Sequence, residues 1–200
     1  MPDSSDTLRA SIFAAFAARP RPAADAILRP EAGREGDELR LLLAEESPET
    51  LSTKEVRAKI EGRLWMLGAE CFRYFLPGLL LAALDPPGRP GPFAEELVDA
   101  LTEPSRQDIE DMLDRIGRAP AQARLDEDVA ESLQRQLLTW FDSGAPEAVF
   151  RDRFDDITQR EGAAILSFLD RLRAENDSDF LEESLDRAES RFWSRFRRLQ

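Results

Sequence analysis

Apolar residues along this chain recur at spacings of three and four, the period of a helix with one buried face. Leu8, Ile12, Phe13 and Phe16 share one face of a first helix that Asp6 can cap, and Pro20, Pro22 and Pro30 bound a short turn after it. A second helix begins near Asp37. Ser52 followed by Glu55 forms a capping box, opening a helix with Val56, Ile60, Leu64 and Leu67 in one stripe and Trp65 on its flank. Further helices follow over 93–101, after Ser105 (Ile109, Met112, Leu113, Ile116), and from about Asp126 to Ser143 (Val129, Leu133, Leu137, Phe141). Pro146 opens a short one with Val149, Phe150 and Phe154. A second capping box, Thr158 with Glu161, leads into Ile165, Phe168, Leu169 and Leu172. The segments 85–92 and 117–124 fall between helices as loops. No run alternates with period two and β-branched residues are few, so strands are not expected. The pattern predicts an all-α protein of roughly nine helices.

Two stretches stand apart. ECFRYFLPGLLLAAL, residues 70–84, is apolar nearly all round, as in a helix surrounded by other helices. Pro77 frees the carbonyl of Arg73, so the helix is expected to kink or restart there, with Arg73 and Tyr74 facing packing or a cleft. Its apolar run is too short for a bilayer, which needs about 20 residues, so no transmembrane segment is expected. The second stretch, FLEESLDRAESRFWSRFRRLQ, places Leu181, Leu185, Ala188, Phe192, Phe196 and Leu199 on one stripe, with Trp193 off it and expected to be exposed. Acidic residues crowd its start and Arg191, Arg195, Arg197 and Arg198 its end, an order that suits the helix dipole. Basic residues among aromatics can also bind RNA or anionic lipid. The boundaries expected are a helical domain over 1–175 and an amphipathic helix over 176–200. That last helix either docks on its own core or pairs with a second copy through residues 178–199.

Composition narrows the chemistry. The 200 residues are 42% hydrophobic and 34% charged, suited to one domain with a solvated exterior. Net charge is −13, which makes nucleic acid an unlikely partner and a basic protein an easier one. There is no histidine and a single cysteine, Cys71. Catalysis through Ser-His-Asp or Cys-His pairs is therefore excluded, as are an intramolecular disulfide and a thiolate zinc site. Adjacent carboxylates such as Asp155 and Asp156 splay about 100° apart on a helix, which suits helix ends better than a shared metal. No calcium loop or phosphate-binding glycine loop occurs, and no cofactor is expected. The N-terminus lacks the basic start and apolar core of a signal peptide, so a cytoplasmic protein is expected.

The blocks IFAAFAARPRP (12–22), GRLWMLGAECFRYFLPGLLLAAL (62–84) and FDDITQREGAAILSFLDRL (154–172) together resemble an uncharacterised bacterial domain family, a domain of unknown function. Its mark is an aromatic-Arg-Tyr-aromatic-Leu-Pro block, matched here by Phe72 to Pro77. In the last block Ile157, Glu161 and Ile165 replace the family's Leu, Gln and Val. The resemblance carries over no catalytic residues. It implies a partner, because small acidic bacterial proteins of this type often sit beside toxins or other interacting proteins. The function expected is a non-enzymatic, acidic interaction protein of immunity or adaptor type. The alternatives are a small-ligand binder or enzyme with a cleft near Trp65, Arg73 and Tyr74 and Glu70 as acid or base, and a homodimer through the last helix. The residues singled out are Trp65, Glu70, Arg73, Tyr74, Phe192, Trp193, Arg195, Arg197 and Arg198.

Overall fold

The computed structural model describes residues 4–85, 91–117, 127–176 and 179–197. Ten α-helices are found among them: α1 Ser4–Phe16, α2 Asp37–Glu45, α3 Thr53–Glu55, α4 Ala69–Ala83, α5 Pro92–Leu101, α6 Arg106–Gly117, α7 Glu127–Asp142, α8 Ala145–Phe154, α9 Gln159–Glu175 and α10 Asp179–Arg191. Short 3-10 segments lie at Pro30–Gly36, Leu64–Met66 and Trp193–Phe196. No strand occurs among the described residues; one isolated antiparallel bridge joins Leu28 to Leu67. The protein is all-α. No helix among them is long and apolar enough to cross a membrane. The expected loops at 85–92 and 117–124 lie largely outside the described residues, as does the start of α7 near Asp126.

The chain forms two compact units, residues 1–102 with 153–200, and residues 103–152. In the larger unit α4 is central, with ten of its fifteen residues buried. It runs through Pro77 as one helix and does not restart. Helix α1 packs on α4 and α9, while α10 packs on α5 and α9. Both capping boxes form. The Ser52 hydroxyl accepts from the Glu55 backbone N–H at 3.2 Å and the Glu55 carboxylate accepts from that of Ser52 at 3.0 Å. Thr158 and Glu161 repeat the exchange at 3.2 and 2.8 Å. Helix α1 begins at Ser4, ahead of Asp6, which lies in its first turn and does not cap it.

The helix after Ser52 is shorter than its apolar stripe predicts. A π turn over Val56–Ile60 ends it, closed by Glu61 N–H to Val56 O at 2.9 Å. Gly62 then takes a φ of 76°, which side-chain-bearing residues rarely adopt. The Glu96 carboxylate of α5 accepts from the freed backbone N–H groups of Gly62 and Leu64, at 2.7 and 3.1 Å. A carboxylate distant in sequence therefore stabilises the break. Leu64 and Leu67 still reach the core, and Trp65 is left 48% exposed on the 3-10 turn.

The C-terminal stretch also departs from one continuous helix. Helix α10 ends at Arg191, and Phe192 leaves helical geometry with φ −136° and ψ −48° before the 3-10 turn. That change of pitch rotates Trp193 inward. The expectation that Trp193 is exposed is therefore wrong: it is fully buried, and its indole N–H donates to the carbonyl of Leu101 at 2.6 Å.

Candidate functional site

The Arg73 neighbourhood is built by α4, the turn after α1 that carries Arg19, and the segment that leads into and opens α9. Arg73 Nε lies 3.6 Å from Asp156 Oδ1, and Arg19 grips the same segment, 2.7 Å from Asp156 and 2.6 Å from Glu161. Glu161 is almost fully buried. Burial would raise its carboxyl, but the Arg19 guanidinium and the Thr158 backbone N–H and hydroxyl more than offset this and hold it below the usual carboxylate range. Asp156 is held low in the same way: burial opposes, and Arg19 and Arg73 prevail. Hydrogen bonding to Glu161, against the opposing effect of burial, raises the Arg19 guanidinium. This is a lock between the turn after α1, helix α4 and the α9 capping box.

The other cleft candidates are placed apart in role. Tyr74 is half-buried with its ring edge-on to Phe75 at 4.9 Å, and Glu70 is exposed. Cys71 is buried, and burial pushes its thiol up to about 12, far from a thiolate at neutral pH. Among the described residues no group of three or more His, Cys, Asp or Glu side chains could hold a metal ion. An open groove lined by Thr53, Lys54, Arg57, Ala58 and Asp85 has Arg57 donating to the Asp85 carbonyl at 2.5 Å.

Sequence reasoning missed Arg153. It is 6% exposed, donates to the Leu64 carbonyl at 2.9 Å and stacks over the Phe72 ring at 4.3 Å. Burial, with Arg29 nearby, brings its guanidinium down to about 10. Nothing local marks it among 25 arginines, since its role depends on Leu64 and Phe72, distant in sequence.

The aromatic C-terminus is spent inside the larger unit. Leu181, Leu185, Ala188, Phe192 and Phe196 are all buried, and Trp193 meets Phe154 and Phe192 edge-on at 5.1 and 4.8 Å. Its arginines are engaged too. Arg195 lies over the Phe192 ring at 3.6 Å, and Arg197 pairs with Glu189 and Asp170 at 2.6 and 2.9 Å. Arg173 of α9 gathers Glu182, Asp186 and Glu189 of α10 within 3.1 Å. Arg198 and Leu199 lie outside the described residues. The described apolar residues of the stripe over 178–199 are thus buried within the chain's own larger unit.

Exposed apolar side chains occur in the smaller unit as well as at Leu41 and Trp65 of the larger one. Arg106 of α6 pairs with Glu110 and reaches Asp142 of α7. Ser105 caps α6, its hydroxyl accepting from the Gln107 N–H at 3.1 Å. No residue of α6 and no described side chain of α7 is buried. Val129 and Trp140 are each 51% exposed. Trp140 went unremarked in the sequence because it lies beside the Val129-Leu133-Leu137-Phe141 stripe. The signal was its spacing of eleven from Val129, three turns on. No protein-family model matches the chain, and neither a curated protein nor a solved structure matches it.

Proposed function

We propose that the protein is a non-catalytic, acidic interaction module of the cytoplasm, of immunity or adaptor type, that binds a partner protein through the face shared by α6 and α7. The observation that carries this reading is the exposure of Val129 and Trp140 on one line of α7, in a pair of helices where every apolar side chain described stops short of burial. Large apolar side chains aligned on an acidic surface are what a partner interface requires, and tryptophan is the side chain most often found at its energetic centre. The resemblance of Phe72 to Pro77 to a bacterial family block supports the immunity or adaptor assignment. Non-catalytic use is supported by the lack of histidine, the high thiol of Cys71 and the commitment of Arg73 to Asp156.

The test compares the wild-type chain with a Val129→Glu, Trp140→Glu double variant, both tagged and recovered from the native host. Both side chains are half exposed, so the double variant is expected to stay folded, with a cooperative thermal unfolding transition as the check. A protein retained by the wild type and lost from the double variant is the expected result. Equal retention by both, or no retained protein at all, would remove the reading's support.

A further inference from the structure

No carboxylate neutralises the buried charge of Arg153 among the described residues. The residue is 6% exposed, and a guanidinium taken out of water is costly unless an anion pairs with it. Its partners are the Leu64 carbonyl, at 2.9 Å from Nη2, and the face of the Phe72 ring at 4.3 Å. A guanidinium offers five N–H donors, and here one of them is matched. Nε and Nη1 have no acceptor, yet no side-chain nitrogen among the described residues is shut off from solvent without one. Both atoms therefore open on solvent. The Phe72 ring covers one face of the guanidinium, which leaves its edge as the way in for an acceptor.

A second arginine is anchored on the same turn. Leu28 bridges Leu67 antiparallel, the Gly68 N–H donates to the Ile27 carbonyl at 3.0 Å, and the Arg29 N–H donates to the Met66 carbonyl at 2.8 Å. Arg29 and Arg153 thus hold the 64–66 turn at positions two residues apart, and the charge of one works against that of the other. The carboxylates nearby do not resolve this. Arg29 meets Glu31 at 3.5 Å, and Glu31 is 63% exposed, so that pairing is weak. Glu96 accepts from the Leu64 N–H, whereas Arg153 takes the Leu64 carbonyl, and those two groups point to opposite ends of a helical turn.

Two cations held together with no carboxylate between them suit an oxyanion. The two oxygens of a carboxylate are taken up by a single guanidinium. Phosphate has further oxygens to offer a second guanidinium, and a second charge to match it. We infer that Arg153 and Arg29 hold a phosphate group, free or carried by a small monoester, against the 64–66 turn. These residues all belong to the larger unit and share none with the face of α6 and α7.

Calorimetric titration of the full-length protein at fixed ionic strength provides the test, with inorganic phosphate, glycerol 3-phosphate, acetate and chloride as probes. A phosphate probe is expected to bind at one site per chain and to raise the thermal unfolding midpoint. Acetate and chloride should bind at least about tenfold more weakly. Trp65, next to Leu64 and 48% exposed, gives a local signal. In protein labelled with 5-fluorotryptophan its resonance, assigned by its loss in a Trp65→Phe variant, should move with phosphate. Arg153→Lys keeps the charge, loses the planar fork and should weaken binding. Arg29 is partly exposed, so Arg29→Gln is the variant expected to stay folded, and it should weaken binding at least about tenfold. Arg135→Gln removes the same charge from an exposed position of the smaller unit and should leave binding unchanged. Tighter binding of the monoester than of inorganic phosphate supports the site and assigns it to a small phosphorylated molecule; the reverse order supports it and assigns the free ion. Acetate or chloride binding as tightly as phosphate overturns the inference, as does no saturable binding at millimolar phosphate. Binding that Arg29→Gln leaves unchanged, or that Arg135→Gln weakens equally, also overturns it.

Discussion

Glu161 shows how much one side chain can hold. Its carboxylate closes the capping box of α9 and accepts two bonds from Arg19, at 2.6 and 2.9 Å, while almost fully buried. The sequence shows the first role, because Thr158 and Glu161 stand three apart and the chemistry is local. The second role joins positions 142 apart, and nothing near either residue announces it. The folded-state carboxyls of Glu161 and Asp156 both lie below their ordinary values. The stability they contribute is therefore fully present above the ordinary carboxylate range and is lost as pH falls through the depressed folded values. Glu161→Gln is expected to cost about 2 kcal/mol at neutral pH. Its urea midpoint should depend less on pH than the wild type's, and the gap between the two should close on acidification. A gap that stays constant to low pH would show that the ion pair does not carry the loss.

Elements were legible where one period ran through them and were misjudged where a distant group interrupted it. The positions of α4 to α9 follow from stripes and caps. The helix after Ser52 ends early because Gly62 turns and Glu96 binds the freed donors, a contact that no local pattern contains. The last helix ends at Arg191 for a tertiary reason of the same kind. The ring of Phe196 occupies the space above Gly162, where an added Cβ would fall 2.2 Å from it, and Trp193 reaches the Leu101 carbonyl. Gly162→Ala should therefore displace Phe196 and cost about 1–3 kcal/mol. Trp193→Ala should cost about 3–5 kcal/mol through the emptied space and the lost hydrogen bond. Thermal unfolding of the two variants checks both values. A Gly162→Ala variant as stable as the wild type would mean that the 3-10 segment does not sit on α9.

At the scale of the molecule, apolar residues are distributed unevenly between the two units. The larger unit uses its aromatic C-terminus internally and leaves Leu41 and Trp65 as its exposed large apolar side chains among the described residues. The smaller unit has two helices without a buried side chain among those described and nearly half of the net charge. Amphipathic stripes on α6 and α7 were visible in the sequence. Their incomplete covering was not, because a stripe looks the same whether its partner lies in the same chain or in another. The claim that this face meets a partner is tested most directly by photo-cross-linking in the native host. A photoreactive amino acid is placed at position 140 and, in a separate chain, at position 41, where Leu41 is 68% exposed. The account predicts a discrete larger species from position 140 and none from position 41. Cross-linking that is absent at position 140, or equal at both, would contradict it.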